Sequence, residues 1–233
     1  MNLWAIVPAA GIGRRMGSEV PKQYLPLLGR PVIAHALAAL DRIEALRGIL
    51  VAVREDDGWW PEVERSVATR APLVRVSGGR ERCDSVANAL AHLADEAAAD
   101  DWVLVHDAVR PCLHPSDLDR LIETASRDPV GGLLAVPARD TIKQADGDGR
   151  SARTLDRSRL WHALTPQMCR FGLLASALHQ AIAAGMAVTD EASALEHAGH
   201  RPLLVEGRAD NLKITRPEDL ALAEFHLSRR ARA

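Results

Sequence analysis

Six short runs of apolar, β-prone residues recur along the chain: Leu3–Val7, Ile49–Val53, Leu73–Val76, Trp102–Val105, Leu133–Val136 and Leu203–Val205. Their near-continuous apolar character suits strands covered on both faces, not strands with one wet side. Helical patterns lie between them at Val32–Leu46, Val86–Leu93, Leu118–Ala125 and Leu173–Ile182. This alternation predicts an α/β, three-layer fold with a mostly parallel sheet of about seven strands and helices on both faces. Thr215-Arg216-Pro217-Glu218 reads as a capping box that opens a last helix. The basic run Arg229-Arg230-Ala231-Arg232 suits that helix's C-terminal end.

One stretch breaks the rhythm. From Pro137 to Pro166 large apolar residues are few, and Asp146-Gly147-Asp148-Gly149 is a turn cluster. The segment reads as a hairpin of Thr141–Gln144 and Ser151–Leu155. Because an isolated hairpin is marginal in water, it must lean on another surface, in its own domain or on a second copy of the chain.

The 233 residues suit a single domain spanning residues 1–233. With 47% hydrophobic and only 3% aromatic residues, the core is built of Val, Ile, Leu and Ala. A net charge of −2 excludes a general nucleic-acid binder, so any anionic ligand is held by a local cluster of Lys and Arg. Cys83, Cys112 and Cys169 form no C-x-x-C pair and no zinc spacing, and read as idle thiols of a reducing compartment. No apolar run is long enough for a membrane span, and Arg14-Arg15 follow the apolar start where a signal peptide would have basic residues before it. The expected location is the cytoplasm.

The first run leads into Pro8-Ala9-Ala10-Gly11-Ile12-Gly13-Arg14-Arg15-Met16-Gly17. Small residues at the carboxyl end of a first strand let backbone approach a ligand closely, where open α/β sheets bind. A Rossmann dinucleotide loop fails in detail, because Met16 stands where the third glycine belongs and no acidic residue follows at the required distance. No Walker-type G-x-x-x-x-G-K-[ST] aligns either. Backbone amides with Arg14, Arg15 and Lys22 would cradle a triphosphate, though glycines and charge alone also fit an ordinary surface turn.

The motif Pro8-Ala9-Ala10-Gly11-x-Gly13-x-Arg15-Met16 with Pro21-Lys22-Gln23 resembles the nucleotide-binding loop of the sugar-phosphate nucleotidyltransferases. Further blocks follow in order: Gly78-Gly79-x-x-Arg82-x-x-Ser85, Val105-His106-Asp107-Ala108-x-Arg110-Pro111 and Arg139-Asp140-Thr141-Ile142-Lys143. Then come Leu160-Trp161-x-x-x-Thr165-Pro166-Gln167, Thr189-Asp190-Glu191-Ala192 and Glu206-Gly207-x-x-x-Asn211-x-Lys213. Together they cover nearly the whole chain and are most similar to the 2-C-methyl-D-erythritol 4-phosphate cytidylyltransferase family. The resemblance implies a Rossmann-like nucleotidyltransferase fold in which 137–166 is a dimerisation arm embracing a twofold partner. It implies CMP transfer from CTP to a small polyol phosphate in non-mevalonate isoprenoid biosynthesis, with Mg²⁺ as cofactor. A ribitol 5-phosphate cytidylyltransferase is the near alternative; a nucleotide sensor that kept the fold and lost turnover would be expected to lack Arg15, Lys22 or Lys213.

By the same resemblance, Arg15 and Lys22 steady the transition state, and Gly11 and Gly13 offer amides to the triphosphate. Ala9, Ala10, Gly79 and Ser85 match positions that recognise cytosine and ribose, although Ser85 also fits a plain helix N-terminal residue. Arg157 and Lys213 match residues that orient the acceptor phosphate, and Ala108, Arg110, Thr141, Thr165 and Thr189 match other acceptor contacts. Asp107, closing the run Trp102–Val105, can accept from sugar hydroxyls, help hold Mg²⁺, or simply cap its loop. An acceptor phosphate is largely dianionic near neutral pH, its second pKa being about 6, so it needs no general base. His106 is therefore expected to be a packed, hydrogen-bonding residue, and His197 with His200 a surface pair interrupted by Gly199.

Overall fold

The computed structural model describes residues 1–11 and 20–230. In chain order its elements are β1 (Leu3–Pro8), β2 (Pro26–Leu27), β3 (Arg30–Pro31), α1 (Val32–Leu40), β4 (Leu46–Val53), α2 (Trp60–Ser66), β5 (Leu73–Ser77) and α3 (Arg82–His92). There follow β6 (Trp102–Val105), α4 (Pro115–Ala125), β7 (Gly131–Pro137), β8 (Ile142–Ala145), β9 (Ser151–Leu155) and β10 (Trp161–Arg170). The chain closes with α5 (Phe171–Ala183), α6 (Glu191–His197), β11 (Leu203–Glu206) and α7 (Pro217–Arg230).

Seven strands form one sheet in the order β11-β7-β10-β6-β1-β4-β5. Only β10 runs against its neighbours, β6 and β7; the pairs β1–β4, β1–β6, β4–β5 and β7–β11 are parallel. Alternation along the strands sorts the core into two layers, as a pleat requires. Leu3, Ala5 and Val7 of β1 join Ile33 and Leu37 of α1 and Leu118 and Leu121 of α4 on one face. Ile6 points the other way, to Val86 and Leu90 of α3 and to Leu174 and Leu178 of α5. Both faces are therefore covered, which is why the strands read as continuous apolar runs. Each of these buried Val, Leu and Ile side chains contributes roughly 1.5–3 kcal/mol relative to its exposed state.

Two local expectations are corrected, and two elements, β10 and α2, were not anticipated. The pattern over Val32–Leu46 is helical only to Leu40, because Asp41 to Ala45 turn the chain and Leu46 already begins β4. The strand β10 carries Pro166 and a polar mixture of residues, so it lacks the apolar run that marks the other strands although Leu164 to Cys169 are buried. The short α2 had no counterpart in the sequence reading. The last helix is capped by Asp219, not Glu218: one Asp219 oxygen accepts from Thr215 N at 2.8 Å, Thr215 Oγ1 at 2.9 Å and Arg216 N at 2.9 Å.

The expected hairpin forms as the antiparallel pair β8–β9, a two-stranded sheet whose residues are exposed except for the half-buried Ile142 and Leu155. The chain rejoins the central sheet at Trp161. Among the described residues no helix is long and apolar enough to cross a membrane. Cys112 and Cys169 are buried and Cys83 half-buried, all three unbridged.

Candidate active site

Parallel strands deliver their carboxyl ends to one edge, and three of those ends build a cleft. After β1, Ala9 N donates to Ala52 O at 2.8 Å and so prolongs the ladder by one residue. Gln23, buried on a single 3-10 turn Lys22–Tyr24, donates Nε2 to Ala9 O at 2.7 Å and Gly11 O at 3.0 Å. The start of the glycine loop is thus pinned from below. Gly13 and Arg15 lie outside the described residues.

After β5 the chain turns through Gly78 and Gly79 into α3. A Cβ on Gly78 would collide with the Ala10 side chain, and one on Gly79 with Asp84, whose carbonyl carbon would stand at 2.9 Å. The two turns can approach each other because Gly78 lacks a side chain, and the chain can fold tightly into α3 because Gly79 does. Ser85, buried in the first turn of α3, accepts from Gly79 N at 3.0 Å and donates to Glu81 O at 3.2 Å. Its hydroxyl therefore shapes the turn that walls the cleft.

After β6 comes Asp107, 5 % exposed. Its Oδ1 meets Arg82 Nε at 3.0 Å, and its Oδ2 meets Lys213 Nζ at 2.9 Å and Arg110 Nε at 3.6 Å. Burial pushes this carboxyl up, but Arg82, Lys213 and Arg110 outweigh it and hold the group well below the usual carboxylate range. Arg82 in turn grips Glu191, itself 1 % exposed, with NH1 to Oε1 at 2.6 Å and NH2 to Oε2 at 3.0 Å.

Behind Asp107 runs a buried polar chain. Asp107 N donates to Thr165 Oγ1 at 3.0 Å, Thr165 Oγ1 meets His106 Nδ1 at 3.0 Å, and His106 Nε2 meets Arg110 O at 3.0 Å. A carbonyl can only accept, so Nε2 carries the ring proton and Nδ1 accepts from the Thr165 hydroxyl. Burial pushes the His106 pKa down to about 4, which keeps the ring neutral near pH 7. His106 is the packed, hydrogen-bonding residue expected. Asn211 Nδ2 donates to Thr165 O at 2.8 Å, and Arg110 NH1 donates to Asn211 O at 2.7 Å. The Thr165–Pro166 peptide bond in this layer is cis.

Lys22 reaches across from the loop side, its Nζ donating to Ile214 O at 3.1 Å beside Lys213. Ala9, Ala10, Gly11, Lys22, Gly79, Ser85, Asp107, Ala108 and Lys213 thus line one cleft, while Arg110 and Thr165 stand directly behind Asp107. The described lining does not include Thr141, Arg157 or Thr189, all of them exposed. Arg157 sits on a 3-10 turn after the hairpin and donates to Arg139 O, and Thr189 N donates to Ser193 Oγ at 3.2 Å. Both Asp107 oxygens face cations, Oδ1 towards Arg82 and Oδ2 towards Lys213.

A family model described as 2-C-methyl-D-erythritol 4-phosphate cytidylyltransferase matches residues 3–229. The chain belongs to this family. It is 56% identical over 218 residues to the enzyme of that name from Pseudomonas entomophila, covering 93% of this chain and 92% of the relative. It is 57% identical, with the same coverage, to the one from Pseudomonas aeruginosa. Among solved structures, a 4-diphosphocytidyl-2C-methyl-D-erythritol synthase is 39% identical with a TM-score of 0.83, covering 97% of this chain and 99% of that one. The Francisella tularensis 2-C-methyl-D-erythritol 4-phosphate cytidylyltransferase is 35% identical with a TM-score of 0.82, covering 97% and 100%.

Membership explains why residues from six of the seven separate sequence blocks converge here. Four polar residues of the site had no assigned role in the sequence reading: Gln23, Arg82, Glu191 and Asn211. All four lie inside the family-like blocks, so their presence in a motif was the available signal.

Proposed function

We propose that this chain transfers CMP from CTP to 2-C-methyl-D-erythritol 4-phosphate, giving 4-diphosphocytidyl-2-C-methyl-D-erythritol and pyrophosphate, a step of isoprenoid biosynthesis. The carrying observation is Arg82 and Lys213 on either oxygen of Asp107 in the wall of a glycine-walled cleft, with Arg110 behind that carboxylate and Lys22 also lining the cleft. An oxygen of the acceptor's phosphate dianion attacks the α-phosphorus; the new O–P bond forms as the bond to the β-phosphate bridging oxygen breaks, and that electron pair leaves with pyrophosphate. The barrier is electrostatic, since two polyanions must meet while charge grows on the leaving group. Lys22, with Arg15 from the glycine loop, stabilises that charge; Lys213, fixed by Asp107, orients the incoming phosphate. Ala9, Ala10 and Gly11, with Gly79 and Ser85, line a cleft suited to a pyrimidine ring.

Among the described residues no group of three or more His, Cys, Asp or Glu is placed to hold a metal ion. In this reading Mg²⁺ would be brought by the triphosphate of CTP and would supply charge neutralisation there, beside Lys22 and Lys213. The reading also includes a cytoplasmic homodimer. The exposed β8–β9 hairpin, together with Thr141 and Arg157 beside it and away from the cleft, supports a twofold partner whose acceptor site these residues complete.

The test is a substrate panel followed by pyrophosphate release. CTP with 2-C-methyl-D-erythritol 4-phosphate is expected to be the best pair by a wide margin, with ATP, GTP and ribitol 5-phosphate poor. Equal or better use of ribitol 5-phosphate would overturn the acceptor assignment.

A further inference from the structure

We propose that Arg82 and Glu191 act as a positioning pair for the transfer reaction, Glu191 setting the aim of the Asp107 carboxylate through Arg82. The inference rests on the cytidylyltransferase reading above. Arg82 is the first residue of α3 and Glu191 the first of α6, 109 positions apart, and the guanidinium is held between two carboxylates that are both at least nine-tenths buried. A guanidinium has five N–H donors in a fixed plane. Two of them fork onto Glu191 and the Nε–H goes to Asp107, so the plane of Arg82, and with it Oδ1 of Asp107, is fixed by Glu191. Oδ2 of the same carboxylate holds Lys213. Any rotation of Asp107 therefore moves the ammonium that receives the acceptor phosphate.

Glu191 is held as firmly as its partner. Asp190, before it, accepts from Gln167 Nε2 at 2.9 Å, and Ala192 N, after it, donates to Gln167 Oε1 at 2.8 Å. Gln167 lies on β10, two residues beyond the Thr165 that holds the amide of Asp107. The pair thus joins the helix that walls the nucleotide slot to the loop carrying Thr189, with the charged centre between them. Arg82 lines the cleft, yet its charge faces inward on two carboxylates.

The alternative role for Glu191 is charge balance, and the two roles differ in sign. Arg82, Arg110 and Lys213 against Asp107 and Glu191 sum to +1; removing Glu191 makes the set +2 and more attractive to a triphosphate. Charge balance alone predicts that Glu191→Gln lowers KM for CTP and leaves kcat unchanged. Positioning predicts a kcat lower by roughly 10- to 100-fold, the scale of a misplaced reacting group, with KM for CTP within about threefold. It also predicts non-additivity: in an Arg82→Lys background, Glu191→Gln costs less than about twofold more, since both act on one carboxylate. The kinetics are measured on protein shown to be folded by its thermal melt, and Glu191→Asp is carried alongside because it keeps the charge and shortens the reach. If Glu191→Gln fails to fold, a kcat loss in folded Glu191→Asp that does not add to Arg82→Lys carries the same conclusion. Retained kcat, a lower KM alone, full additivity, or failure of both variants to fold overturns the proposal. A carbon-detected NMR signal of the Asp107 carboxyl, moved by substitution at Glu191, reads the linkage without turnover. If wild-type protein turns over no cytidylyl acceptor while that signal moves, the activity assignment fails and only the linkage from Glu191 through Arg82 to Asp107 stands; a signal that does not move overturns the linkage itself.

Discussion

A carboxylate that is 5 % exposed and met by three cations holds their side chains in place before any ligand arrives, so little reorganisation accompanies the transfer itself. Lys22 is placed differently, by a single-turn helix and a backbone carbonyl 192 positions away. If it acts in the transition state, Lys22→Ala lowers kcat by roughly 10²–10³ and weakens CTP binding much less. Steady-state kinetics check this, and a raised KM at full kcat would reassign Lys22 to ground-state binding. Arg15→Ala is expected to behave like Lys22→Ala. At this scale the residues that line the cleft were legible because their types carry the chemistry: glycines for approach, lysines for phosphate. Arg82 and Glu191 were not, because a salt bridge across 109 positions leaves no local spacing to read.

Elements set the shape of the nucleotide slot, and the turn between β5 and α3 does most of it. Because a Cβ on Gly79 would press on the Asp84 backbone, Gly79→Ala must shift the first turn of α3 and the hydroxyl of Ser85 with it. KM for CTP is expected to rise about tenfold, 1.4 kcal/mol, with a smaller change in kcat. Gly58→Ala, where a Cβ meets open space, serves as the control and leaves both constants unchanged. A Gly79→Ala enzyme with native KM would show that the turn is not a wall of the slot. Six of the seven sheet strands were readable, since two-sided burial writes a continuous apolar run. The seventh, β10, was hidden by Pro166, Thr165 and Gln167, which sit in a strand because they serve the site: Thr165 holds Asp107, and Gln167 holds the loop before α6.

Across the whole molecule, the question is which chain each site residue serves. Lys22 faces its own cleft, whereas Arg157 lies beside an exposed hairpin. In the twofold arrangement proposed, Lys22→Ala and Arg157→Ala chains that are unfolded and refolded together form mixed dimers in about half of cases. Each mixed dimer has one site with both lesions and one with neither, so activity returns to about a quarter of wild type. Recovery no greater than that of the separate variants, with subunit exchange confirmed by mass spectrometry, would assign Arg157 to its own chain.

The reversed strand at the middle of the sheet also imposes an order of assembly. A chain emerging N-terminus first can pair β1, β4, β5 and β6 once residue 105 is free, all in parallel. β7, made next, has both of its neighbours, β10 and β11, still to come. Domains of this size build up through stages during synthesis, and here the boundary between stages passes through the active site. The first half supplies the nucleotide walls and Asp107, while Thr165, Glu191 and Lys213 arrive with the second. A nascent chain therefore completes the walls of its cleft, with Arg82 and Arg110 already beside Asp107, long before it owns the Lys213 ammonium and the Thr165 hydroxyl that complete the hold on that carboxylate.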